Sequence, residues 1–148
     1  MRILAALLLL CTAVFAAPPR RIISTAPGIT EILFALGLGD RLVGATEYCV
    51  YPEAAKKVPR TGSWMSPNME AILAAKPDLI IVQRTAIHDS KKFEALNLKA
   101  FEVQLLNVGD IMESIKAIGA VAGVEAQAAR LIQSLQTQLN DIRAKVAT

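Results

Sequence analysis

Residues 67–82, PNMEAILAAKPDLIIV, hold a helix, a stop and a strand in sixteen positions. Met69, Ile72 and Leu73 recur at helical spacing. Asn68 is placed to cap the helix, and Glu70 lies early enough to favour the positive end of its dipole. Pro77-Asp78 then stops it. The run that follows, Leu79-Ile80-Ile81-Val82, is apolar without alternation, as suits a strand buried on both faces. Two-sided burial is what a parallel sheet with helices on each side provides, so this stretch points to an α/β fold.

The same rhythm extends both ways. Upstream, Arg21–Ala26 reads as a strand ended by Pro27-Gly28, Thr30–Leu36 as a helix closed by Gly37 and Gly39, and Arg41–Thr46 as a second strand. Downstream, Lys91–Leu96 is a short helical stretch and Ala100–Val103 a strand; Asp110 is expected to cap a helix from Ile111 to Ala122. Strands alternating with helices at this spacing predict a Rossmann-like parallel sheet with flanking helices. From Glu125 to Lys145 there is no Gly or Pro, and Leu131, Ile132, Leu135, Leu139 and Ile142 recur three or four apart. This is a helix of roughly 30 Å, about the width of a domain. The expected organisation is a leader over 1–16, an α/β lobe over 17–122 and a long helix over 123–148.

The leader is read from MRILAALLLLCTAVFAA, in which Arg2 is the only charge before an apolar core and small residues. The core is shorter than the ~20 apolar residues of a spanning helix, so it predicts a secretory signal cleaved after Ala16, with Val14 and Ala16 at the small-residue positions. Cys11 follows two leucines where a lipid-anchor site wants small residues, so a lipid anchor is not expected. With Cys11 gone, Cys49 has no internal disulfide partner.

Composition narrows the function. The 148 residues suffice for one ordinary domain, and 53% hydrophobic content with only 8 Gly and 7 Pro excludes collagenous and disordered classes. A net charge of +3, with the basic residues scattered, argues against nucleic acid as a partner. One histidine and one cysteine beyond the leader cannot build a His-rich metal site, and His88 beside Asp89 reads as a solvated loop residue. No G-x-S-x-G, G-x-G-x-x-G or G-K-[ST] pattern occurs. An enzyme is therefore not expected, and no catalytic or metal-ligating residue is assigned. What remains lies at strand ends, where open parallel sheets bind ligands. Pro27 follows the first strand, Tyr48 the second and Gln83 the third, while Trp64 sits between Gly62 and Pro67. Spacing alone leaves open whether Trp64 and Tyr48 face a ligand or pin their loops to the core. Tyr51, before Pro52, reads as a loop anchor.

Four pieces carry a resemblance: AP-x-x-TE at Ala26–Glu31, LGLGDRLVGAT, Y-x-x-YP at Tyr48–Pro52, and NMEAILAAKPDLII. Together they resemble the N-terminal lobe of the helical-backbone, class III periplasmic substrate-binding proteins of ABC importers, most of all the cobalamin-binding members. The resemblance implies that Pro27, Tyr48, Trp64 and Gln83 touch a transported ligand, and that Glu70 meets a permease arginine. From the residues alone, Glu70 reads as a solvated carboxylate at a helix start. At Gln83 a cobalamin-binding relative carries tryptophan, and Val50 replaces an acidic residue often seen in the Y-x-x-YP loop. The resemblance further implies a periplasmic monomer, a permease with its ATPase subunits as partners, and no resident cofactor. Cobalamin is the expected cargo, with haem or a ferric siderophore as alternatives; Tyr48 could serve haem as axial ligand. A small exported enzyme is the competing class. In the family two lobes flank one long helix, and the second lobe is missing here, as expected of either a fragment or a truncated gene, so the lone lobe is expected to bind weakly.

Overall fold

The computed structural model describes residues 17–85 and 90–146. The expected leader, Cys11, His88 and Asp89 lie outside them. Four strands, β1 (Ile22–Ser24), β2 (Leu42–Ala45), β3 (Leu79–Gln83) and β4 (Ala100–Val103), form one parallel sheet in the order β2-β1-β3-β4. Among the described residues five α-helices accompany them: α1 (Pro27–Ala35), α2 (Met69–Ala74), α3 (Lys91–Glu94), α4 (Val108–Ala122) and α5 (Glu125–Val146).

The apolar run of β3 feeds two cores. Leu79 and Ile81 join Ile22 among α1, α4 and the start of α5, whereas Ile80 and Val82 join Ile23 beneath Ile72 of α2 and Phe93 of α3. Alternate side chains of one strand thus face opposite helical layers, which is why the run shows no polar member. At the opposite end of the sheet from the strand tips, the Asp78 carboxylate accepts from the backbone N–H groups of Arg20 (2.8 Å) and Arg21 (2.9 Å). Arg41 Nη1 donates to the Ala122 carbonyl at the end of α4 (2.9 Å).

Several boundaries differ from expectation. Pro27 opens α1 rather than merely ending β1, because a proline at the first helical position loses no needed N–H and has its φ already set. Asn68 caps α2 as expected, its side chain accepting from Ala71 N–H. The cap of α4 is Asn107, not Asp110. Asn107 Oδ1 accepts from Asp110 N–H (3.0 Å), while the Asp110 carboxylate accepts from Leu106 N–H and Asn107 Nδ2. Two cap-type residues three apart compete, and reciprocal bonding places the first outside the helix. Gly123, at φ 69°, closes α4 in the left-handed conformation.

After that turn α5 runs back along α4. Ala128 is buried, Leu131, Ile132 and Leu135 pack against the core, and residues 140–146 are exposed. Because α4 starts at the β4 tip, the far end of α5 rises towards the same edge of the sheet as the strand tips. Among the described residues, no helix is long and apolar enough to cross a membrane.

Candidate functional site

All four strands point their carboxyl ends to one edge. The chain leaves β1 towards β2 on one side and reaches β3 and β4 on the other, so the crevice lies between the tips of β1 and β3. Pro27 is fixed there from below. Ser24 Oγ donates to the Ala26 carbonyl (3.0 Å) and Thr30 Oγ1 to Ser24 Oγ (2.8 Å), both within the buried interior. These bonds bind the strand end to the helix start and account for Thr30 in the AP-x-x-TE pattern.

Beyond β2 the chain turns over residues 46–49. Cys49 N–H donates to the Thr46 carbonyl (3.1 Å), and the wholly buried Cys49 thiol lies 3.1 Å from Thr46 Oγ1. With Cys49 inside, Tyr48 is turned outward, 63% exposed. Arg60 Nη1 donates to the carbonyls of Thr46 (2.9 Å) and Cys49 (3.0 Å). Arg60–Gly62 then runs alongside β2, with Thr61 N–H donating to Ala45 O and Glu47 N–H to Gly62 O. Gly62 has φ 89°, and a Cβ there would come within 2.5 Å of Asn68 N, so only glycine fits. A tight turn follows, closed by Ser63 N–H to Ser66 O (3.1 Å) and Ser66 N–H to Ser63 Oγ (3.0 Å). Trp64 rides on this turn, half-buried.

Gln83 is the last residue of β3, its N–H donating to Thr25 Oγ1 (3.3 Å). It borders two recesses. One, between the Trp64 turn and α3, is lined by Trp64, Gln83, Thr25, Ser63 and Phe93 and offers the centre of a water-sized molecule only about 20 Å3. That is room for one water. The other, about 360 Å3 and open, is lined by Gly28, Glu31, Gln83, Leu105 and Ile111. The first recess is too small for a macrocycle, and the second is an open hollow in the rim beside Gln83.

Of the residues singled out from sequence, Trp64 and Gln83 share a recess, and Pro27 adjoins the second recess through Gly28. Tyr48 stands apart on the β2 side, and Glu70 is exposed in the first turn of α2, on the shoulder of the same edge. Tyr51 departs from its expected role: at 68% exposure it anchors nothing, since Cys49 and Ala55 supply the buried contacts of that loop. Sequence reasoning missed Arg60 and the inward role of Cys49; a basic residue two positions before a glycine turn carries no motif. Large apolar side chains gather at this edge, with Val50 and Tyr51 beside Tyr48, Met65 (72% exposed) beside Trp64, and Leu106 and Val108 beyond β4. Among the described residues, no group of three or more His, Cys, Asp or Glu is placed to hold a metal.

A parallel sheet with large apolar side chains exposed along its strand-tip edge and a long helix at its flank defines an α/β lobe of the doubly wound class. The chain belongs to the periplasmic binding protein family, which it matches over residues 22–148. It is 35% identical over 141 residues to a vitamin B12-binding protein of Vibrio vulnificus (strain CMCP6), an alignment covering 94% of this chain and 52% of that protein. An uncharacterized ABC transporter substrate-binding lipoprotein, YvrC of Bacillus subtilis (strain 168), is 36% identical over 137 residues, or 88% of this chain and 43% of that one. The crystal structure of the periplasmic vitamin B12 binding protein BtuF of Vibrio cholerae aligns with a TM-score of 0.78 at 33% identity, covering 88% of this chain and 52% of that structure. The chain spans about half the length of the curated relatives it matches. Fold class and family thus agree with the reading of the sequence.

Proposed function

We propose that this protein is the substrate-binding component of an ABC importer, holding cobalamin or a related corrinoid and handing it unchanged to a permease. The observation that carries this reading is the rim itself. Tyr48, Val50, Tyr51, Met65, Leu106 and Val108 leave large apolar surface exposed along the strand-tip edge from the β2 side to beyond β4, where a globular lobe gains nothing from exposing it. A flat macrocycle laid across the rim covers that surface. Each aromatic ring buries 150–250 Å2 at most, which at ~25 cal/mol per Å2 is several kcal/mol before the costs of association. Binding of that kind requires no bond from the protein to the ligand's metal.

In this reading Pro27, Tyr48, Trp64 and Gln83 contact the ligand, residues 17–122 form the first of two lobes, and the helix over 123–148 links it to the second. The protein acts outside the inner membrane after export as a monomer, with a permease and its ATPase subunits as partners. The lipoprotein name of the Bacillus relative makes tethering a second possible state of the exported protein. Haem is the second reading of the ligand, favoured by the outward-facing phenol of Tyr48, an axial ligand type for haem iron.

Calorimetric titration with cyanocobalamin, hemin and a ferric hydroxamate siderophore tests the proposal, with Trp64 fluorescence read in parallel. Cyanocobalamin is expected to bind and to quench the indole. Binding of hemin alone, with a tyrosinate-type absorption band, transfers the reading to haem; binding of the siderophore alone transfers it there. No binding by any of the three overturns it.

A further inference from the structure

We infer that Arg60 is a positioning residue that sets the spacing between Tyr48 and Trp64, and so the fit of a flat ligand across them; this rests on the reading of both rings as ligand contacts. Its side chain grips one loop and its main chain founds the other. Nη1 donates to the carbonyls of Thr46 and Cys49, the two ends of the turn that presents Tyr48, and Nη2 reaches the Lys56 carbonyl at 3.4 Å. The Arg60 backbone is bridged to Ala45 beside β2, and two residues later Gly62 receives the N–H of Glu47 and opens the Trp64 turn. A half-buried guanidinium usually answers a carboxylate. Among the described residues none pairs with Arg60, whose side-chain hydrogen bonds go to main-chain carbonyls. A planar fork can serve several such carbonyls in one fixed arrangement, whereas an ammonium is a single flexible point.

Trp64 is the only tryptophan, so acrylamide quenching of its fluorescence reports on its turn without any ligand. Arg60→Met is expected to raise the quenching constant while far-UV circular dichroism is unchanged, and to weaken cyanocobalamin roughly tenfold. Arg60→Lys should fall between the two, and it carries both measurements if Arg60→Met does not fold. In a Tyr48→Ala background the affinity cost of Arg60→Met should shrink to less than about threefold, because the ring it places is gone. Unchanged quenching overturns the inference, as does a tenfold affinity loss that persists undiminished without Tyr48. If the unaltered protein binds no cyanocobalamin, the ligand reading falls, and the quenching result alone decides the role of Arg60.

Discussion

The turn that carries Trp64 is held by the Ser63–Ser66 closure, the positive φ of Gly62 before it and the Asn68 N–H to Thr61 O bond behind it. These contacts do not involve the ring and remain when it is removed, so its removal should change binding more than folding. Trp64→Ala is expected to weaken cyanocobalamin by about 2 kcal/mol, roughly thirtyfold, with only a modest fall in thermal stability because the indole is partly exposed. Calorimetry and a melting curve check both halves; a large fall in stability with unaltered affinity would assign the indole to the core instead. The sequence placed Trp64 in a loop between Gly62 and Pro67 and left open whether it faces a ligand or the core; the structure sets it on a tight turn, half-buried. Arg60 was not legible in sequence, since its task depends on two carbonyls brought to it by the turn over residues 46–49. Tyr51 misled for a related reason: X-Pro signals a turn, and a turn does not say which of its residues faces inward.

Among the elements, the crossing of α4 and α5 depends on one absent side chain. A Cβ on Gly119 would stand 2.5 Å from the Cβ of Ala128, so the two helices meet backbone to side chain. Glycine inside a helix costs about 1 kcal/mol against alanine, and overpacking costs about 1–3 kcal/mol, so the clash outweighs the gain. Gly119→Ala is expected to lower the unfolding free energy by about 1 kcal/mol in urea denaturation, although the same change in an open helix would raise it. The double variant with Ala128→Gly should lose less than the sum of the two singles, because the atom met by the new methyl is gone. Strands and helices at this scale were largely readable. Leu79–Val82 announced a strand buried on both faces, and the spacing of Leu131 to Ile142 announced α5. Helix starts were harder, because Pro27 and Asn107 each belong equally to the end of a loop and the start of a helix. The choice fell to partners such as Thr30 and Asp110, several residues along the chain.

For the molecule as a whole, the proposed function gives Glu70 a place between binding and delivery. The chain emerges from the Trp64 turn directly into α2, so Glu70 stands on the shoulder of the edge that carries the rim, and a permease docking there would cover the proposed ligand site. The Glu70 carboxylate is exposed and has no ion-pair partner among the described residues, so little folding energy depends on it. Its Coulomb energy at a wet interface is about 1 kcal/mol and is screened over about 8–10 Å in ordinary salt. Charges at such a rim chiefly govern the rate and orientation of encounter. Glu70→Gln is therefore expected to leave cyanocobalamin affinity and stability unaltered, and to slow association with the permease complex about three- to tenfold at low ionic strength. The difference should disappear towards 0.5 M salt, where the Debye length is only about 4 Å. Surface plasmon resonance of the loaded protein over the permease in nanodiscs, across a salt series, measures it. Equal association rates at every salt concentration would leave Glu70 as a solvated carboxylate at a helix start, and docking would then have to rest on another part of the same edge.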